Sequence, residues 1–311
     1  MQFGLVFPGQ GSQSVGMLSN FARYPVVRDT LIEAGEALGE NLLELIESGP
    51  GEVLGLTTNT QPVMLAADIA VYRAFRAAGG ALPSMVAGHS LGEYAALVAA
   101  GTIEFQAAVR LVRLRAEAMQ QAVPVGVGGM AAILGLDAER VNQACAESAQ
   151  GEVVEAVNFN DPIQIVIAGH ADAVVRAMER AKELGAKRAL PLPVSAPFHS
   201  SLMKPAADRL AQALEDMVLR EPGIPVVNNV DVAMLSDPAL IKDALVRQAY
   251  KPVRWVEVIE KMRASGVTRV IECGPGRVLS GLSKRIDKSI DGGAINDQDQ
   301  LDAMVGELQW R

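Results

Sequence analysis

The chain has 311 residues, of which 50% are apolar, 21% charged and 4% aromatic, with a formal net charge of −8. This length accommodates two domains or one large domain with an insertion, and the 29 glycines and 16 prolines form no collagen-like or linker-like tract. The acidic balance argues against an overall basic nucleic-acid footprint, though not against a local basic patch. Cys145 and Cys273 stand too far apart to suggest a disulfide framework or a zinc site.

The N-terminus, MQFGLVFPGQGSQ, reads as the strand FGLVF and a glycine-rich loop. It lacks the basic flank and longer apolar run of a signal peptide, and no later stretch could span a bilayer. A soluble cytoplasmic protein is therefore expected. Helical segments follow in VRDTLIEAGEAL and QPVMLAADIAVYRAFRAAG.

The strand SMVAG then runs into GHSLGEYAAL, where a helix starts at once. Ser90 lies two positions from Gly88 and from Gly92. A strand-to-helix turn with no side chains at the flanking positions pushes the central hydroxyl outward, as a nucleophile requires. Serine is also a favoured helix N-cap, and the motif alone leaves both readings open.

Next comes the helical segment EFQAAVRLVRLRAEAM. At about 100° per residue, Phe105, Ala108, Leu111, Val112, Ala118 and Met119 form an apolar stripe. Gln106, Arg110, Arg113 and Glu117 gather opposite, yet Arg115 falls within the stripe. A buried guanidinium needs a partner, so Arg115 is either structural (an ion pair or a snorkelling side chain) or a cleft residue that grips a planar anion.

Residues 126–197 change character. MAAILG, EVVEAVNF, PIQIVIAG and the start of AKRALPLPV read as strands, with helices in AERVNQACAESA and ADAVVRAMERAKELG. The order β-α-β-β-α-β is a split βαβ unit of ferredoxin-like type. The expected fold is α/β. A larger hydrolase-like subdomain with a mostly parallel sheet is built from 1–125 and 198–311, and the smaller ferredoxin-like subdomain, 126–197, is inserted into it. In the larger part follow a helix in KPAADRLAQALEDM, a strand in IPVVNN, a helix in VRWVEVIEKMRASG and the strand TRVIECG before a second glycine-rich turn.

A serine nucleophile needs a base, and only three histidines are available. His89 adjoins the serine, and its side chain should project elsewhere at an elbow. His170 suits a turn or helix cap. His199, where the inserted part returns to the larger one, is the preferred base. Neither glycine-rich turn matches a nucleotide-binding loop. The amide of Leu91 and a neighbouring turn could instead hold an oxyanion.

FPGQGSQ, GHSLGEYAAL, RAEAM, VNFNDPIQIVIAG, SAPFHS and QAYKPVRW together resemble the malonyl-CoA:acyl-carrier-protein transacylases of type II fatty acid synthesis, in that family's order and over nearly the whole chain. The resemblance implies transfer of a malonyl group from CoA to a carrier-protein phosphopantetheine thiol by a ping-pong route. Ser90 would carry the acyl group, His199 act as base and Arg115 bind the malonyl carboxylate. It further implies oxyanion donors at the amides of Gln10 and Leu91, a backbone carbonyl at Gln248 that orients the histidine, and cleft positions for Asn158, Asn160 and Phe198. No metal or redox cofactor is implied, and the family is typically monomeric.

The rival enzyme readings are a serine esterase or thioesterase, which admits water to the acyl-enzyme, and a loading transferase for another acyl group. The rival outside enzymes is a carrier-binding module with a vestigial elbow. Lys182, Lys187, Arg188, Lys284, Arg285 and Lys288 are candidates for a basic face toward an acidic carrier protein, or ordinary solvated surface.

Overall fold

Alternating strands and helices give two sheets in the computed structural model, which describes residues 2–194 and 196–308. Met1, Ser195 (the first residue of the SAPFHS stretch) and residues 309–311 lie outside the described residues.

In chain order the strands are β1 (Phe3–Phe7), β2 (Met85–Gly88), β3 (Gly128–Leu134), β4 (Val154–Asp161), β5 (Gln164–His170), β6 (Arg188–Pro191), β7 (Val226–Val227), β8 (Arg269–Cys273) and β9 (Asp291–Ile295). The larger sheet has the order β7-β2-β1-β8-β9, and every pairing in it is parallel. Parallel strands are covered on both faces, which is why β1 is an uninterrupted apolar run with every residue buried. Leu5 and Phe7 pack with the helices Thr57–Ala77 and Phe105–Gln121 on one face. Val6 packs with Trp255, Val258 and Ile259 on the other.

The smaller sheet, β4-β5-β3-β6, is antiparallel throughout. Ala131, Ile133, Ile165 and Ile167 bury one face against the helices Ala138–Ser148 and Ala171–Glu183. The strand period of two turns Met130, Val166 and Ala168 to the opposite face, where Phe198 and Leu192 pack on them. That face looks toward the larger sheet. Phe159 N donates to Val253 O at 3.0 Å and Val253 N to Val157 O at 2.9 Å, joining β4 to the larger part by backbone bonds.

Some elements were not expected from the sequence: the helices Leu42–Ser48, Gly51–Leu54 and Pro238–Gln248, strand β9 and the helix Gln298–Leu308. Phe7 pairs with Gly88, so the loops after β1 and β2 emerge side by side at the carboxyl end of the sheet. In open α/β sheets this is where ligands bind.

Candidate active site

The turn after β2 has no space for side chains two positions to either side of the serine. A Cβ on Gly88 would fall 1.9 Å from the carbonyl of Gly92, and one on Gly92 would fall 2.0 Å from Phe7 O. Ser90 takes φ +52°, in the left-handed region that non-glycine residues rarely occupy. Asn229 braces this strained turn: its Oδ1 accepts from Ser90 N at 2.7 Å and its Nδ2 donates to Gly88 O at 2.7 Å. The Ser90 hydroxyl does not cap the helix Gly92–Ala99, whose N-cap residue is Leu91, with no side-chain cap bond.

The hydroxyl instead meets His199. Ser90 Oγ lies 2.7 Å from His199 Nε2, and His199 Nδ1 lies 2.8 Å from the backbone carbonyl of Gln248. A carbonyl can only accept, so the proton sits on Nδ1 and Nε2 is free to accept from the serine. Burial, reinforced by the positive charge of Arg115, pushes the imidazole down to about 3. The ring is therefore neutral at pH 7, as a base must be. His199 also has a left-handed backbone, φ +64°.

Arg115 is 3% exposed, so it does not snorkel, and among the described residues it has no ion-pair partner. Amide oxygens and an aromatic face surround it instead. Nη1 donates to Gln61 Oε1 at 2.7 Å, Nη2 donates to Gln248 Oε1 at 3.0 Å and to Ser90 Oγ at 3.2 Å, and the guanidinium carbon lies 5.3 Å from the centre of the Tyr94 ring. Burial draws its pKa down, and the nearby Tyr94 and Glu93 oppose that shift. A full positive charge held by neutral groups, one hydrogen bond from the serine, can accept an anion there.

These groups open into a cavity of about 270 Å³ between the two sheets. Gln10, Leu91, Phe198, Asn158 and Asn160 all line it with Ser90, His199 and Arg115. Gln248 lies behind it, fully buried. The two asparagines reach the cavity through a bulge. Val154 and Ala156 pack toward the helices, and an unbroken strand would send Asn158 and Asn160 the same way. The register shifts between Ala156 and Asn158, and again between Phe159 and Asp161.

His89 does not reach the serine, but it does not leave the site either. It lines the cavity, its Nε2 lies 2.8 Å from Asn160 Oδ1, and its ring sits 5.4 Å from that of Trp255. His170 occupies the N-cap position of Ala171–Glu183 without a capping bond, and its Nδ1 accepts from Val153 N at 2.9 Å. Three participants were not singled out from the sequence: Gln61, Asn229 and Glu93. The available signals were a polar residue in an apolar helical run for Gln61 and Glu93, and nothing beyond a strand end for Asn229. Burial raises Glu93 to about 7.

The model of the acyl transferase domain family matches residues 5–307. The chain belongs to that family. It is 54% identical over 305 residues to a malonyl CoA-acyl carrier protein transacylase of Salmonella typhimurium, covering 98% of this chain and 99% of that protein. The Bacillus subtilis protein of the same name is 46% identical over 310 residues, covering 99% and 98%. A crystal structure of the acyl-carrier-protein S-malonyltransferase from Burkholderia pseudomallei superposes with a TM-score of 0.97 at 63% identity, covering 98% of this chain and 100% of that one. Within the acyl transferases, the chain thus falls among the malonyl CoA-acyl carrier protein transacylases. Among the described residues, no helix is long and apolar enough to cross a membrane.

Proposed function

We propose that this acyl transferase moves malonyl from CoA to the phosphopantetheine thiol of an acyl carrier protein through a malonyl ester on Ser90. The observation that carries the reading is the placement of one guanidinium nitrogen, Arg115 Nη2, 3.2 Å from a serine oxygen that already faces a neutral imidazole at 2.7 Å. An esterase for neutral acyl groups has no use for a buried cation there.

The chemistry follows from the geometry. Ser90 Oγ attacks the thioester carbon as its proton passes to His199 Nε2, while the Gln248 carbonyl holds the imidazolium through Nδ1–H. The amides of Gln10 and Leu91 are the proposed donors to the oxyanion, and both residues line the cavity beside Ser90. The C–S bond breaks and the departing CoA sulfur takes the proton from Nε2. In the second half, the carrier thiol gives its proton to Nε2 and its sulfur attacks the ester. Ser90 Oγ then leaves and recovers the proton. A thioester is consumed and a thioester is made, so the exchange runs in both directions.

Arg115 would trade its bond to Ser90 Oγ for bonds to the malonyl carboxylate, one methylene beyond the acyl carbon. Phe198, Asn158 and Asn160 are assigned to the walls around the acyl group and the thiol-bearing arm. The proposed division places the catalytic part in 1–125 and 198–311 and the inserted part in 126–197, with the cytoplasm as the working compartment. Lys182, Lys187, Arg188, Lys284 and Lys288 are exposed and remain the candidate basic face for the carrier protein. Arg285, also exposed, is engaged with Asp161 at 2.6 Å.

Intact-mass measurement tests the reading. Malonyl-CoA should add one malonyl group, located on Ser90 by peptide mapping, and phosphopantetheinylated carrier protein should remove it and gain the same mass. Loss of the adduct to water as fast as to the carrier would point to a thioesterase.

A further inference from the structure

Glu93 is the fourth residue of the GHSLGE stretch counted from Ser90 and is 2% exposed. Its Oε2 accepts two hydrogen bonds, from Asn229 N at 3.0 Å and from Gln248 Nε2 at 2.8 Å. Each donor residue grips a different part of the site. Asn229 Oδ1 holds the amide of Ser90. Gln248 turns its Oε1 to Arg115 Nη2 and its Nε2 also to Ser90 O, at 2.9 Å. One carboxyl oxygen therefore joins the support of the nucleophile to the support of the guanidinium.

Both supports need holding. The side-chain amide of Gln248 presents an oxygen and a nitrogen of nearly the same shape, and a half-turn would set its NH2 against the Arg115 donor. The loop that carries Asn229 contains Val232 at φ +56°, an outlying conformation for a β-branched residue. That loop is also clamped by Arg247, whose Nη1 and Nη2 each donate to Asp231 at 2.7 Å, one residue before Gln248.

We propose that Glu93 is a positioning residue that fixes the nucleophile and the Arg115 guanidinium relative to each other, and thereby sets the preference for a carboxylate-bearing acyl group. The inference rests on the proposed malonyl transfer. What Glu93 contributes is an acceptor rather than a charge: a proton on Oε1 leaves both bonds to Oε2 in place. The charged and titratable groups around it are Arg115 from the helix Phe105–Gln121, Asp231 from the loop and Tyr94 beside it.

The test is the ratio of kcat/KM for malonyl-CoA to that for acetyl-CoA, measured as acyl-enzyme formation in wild type and in Glu93→Ala, Glu93→Gln and Gln248→Leu, with circular dichroism as the check on folding. The ratio is independent of the active fraction, so a merely structural loss does not move it. Glu93→Ala should lower the ratio about tenfold, as expected for a displaced hydrogen bond to a charged group. Glu93→Gln, which keeps an oxygen at the same place, should hold it within about twofold. Gln248→Leu retains the backbone carbonyl used by His199 and should repeat the loss. It carries the test if Glu93→Ala does not fold. A wild-type ratio in folded Glu93→Ala or Gln248→Leu would overturn the proposal, and so would a Glu93→Gln ratio as low as that of alanine. If wild type itself takes no malonyl group from malonyl-CoA, the transfer reading fails first, and this inference with it.

Discussion

Ser90 Oγ and His199 Nε2 are 2.7 Å apart although 109 residues separate them in the chain, and both residues hold left-handed backbones to meet. The same imidazole serves both halves of the proposed exchange. His199→Ala should therefore slow acylation by malonyl-CoA and discharge to carrier protein alike, each by about 10²–10⁴-fold. His170→Ala, which removes only an acceptor for Val153 N, should slow neither. Rapid-quench measurement of each half-reaction decides, and near-normal rates in His199→Ala would remove it as the base.

Arg115→Ala should cost selectivity rather than chemistry. Hydrogen bonds to charged groups are worth about 1.5–3 kcal/mol, and about 1.4 kcal/mol is a factor of ten. The ratio of acylation rates for malonyl-CoA and acetyl-CoA should fall at least about tenfold in a folded variant. An unchanged ratio would assign the carboxylate to another residue.

The pH dependence of acylation has a definite sign. Burial lowers His199 to about 3, which favours the neutral base. At subsaturating malonyl-CoA the rate should show no acid limb near the ordinary imidazole value as pH falls from about 7.5 to 5.5. A limb centred near 6.5 that disappears in no other histidine variant would contradict this. Stability responds as well. The unfolded chain binds the His199 proton more readily than the folded one, so this group's contribution falls as pH drops through 6.5 toward 3.

Glu93 has the opposite sign. Its carboxyl is raised from 4.5 to about 7, so the folded state carries the cost of a buried carboxylate above pH 7 and is relieved as pH falls toward 4.5. Glu93→Gln never carries that charge. Its melting temperature should exceed that of wild type most above pH 7, and the difference should shrink as pH approaches 4.5. Differential scanning calorimetry of the two proteins across that window reads it directly. A difference independent of pH would mean that Glu93 does not titrate there.

The elbow glycines predict a large stability effect. A methyl on Gly88 meets the Gly92 carbonyl at 1.9 Å, a clash with backbone that no rotamer relieves. Gly88→Ala should lose more than about 4 kcal/mol or fail to fold. Gly306, exposed in the helix Gln298–Leu308 with nothing within 4 Å of a Cβ, is the control. Gly306→Ala should gain about 0.5–1 kcal/mol. Thermal melts of both variants check the pair.

The alternation of strands and helices in the larger part and the β-α-β-β-α-β order in the smaller were legible because their apolar periods are strong. Ser90, with its flanking glycines, was legible for a steric reason. Strand β9, DGGAI, was not, because a half-exposed edge strand with two glycines has no period to read. Asn158 and Asn160 reach the cavity only through a bulge that a strict alternation would deny. Asn229, Gln61 and Glu93 were hidden for another reason: each is an ordinary polar residue until the fold brings Asn229 to Ser90, Gln61 to Arg115 and Glu93 to Gln248, and no local spacing records that convergence.

The wide separation of the partners along the chain governs when the centre comes into being. Ser90 leaves the ribosome long before His199, and the Gln248 amide that contacts Ser90 O follows 158 residues after it. No nascent chain that ends before Gln248, whose backbone carbonyl holds His199 Nδ1, has an oriented imidazole against the hydroxyl. Reactivity is thus withheld through most of synthesis, until the Gln248 carbonyl stands behind the imidazole.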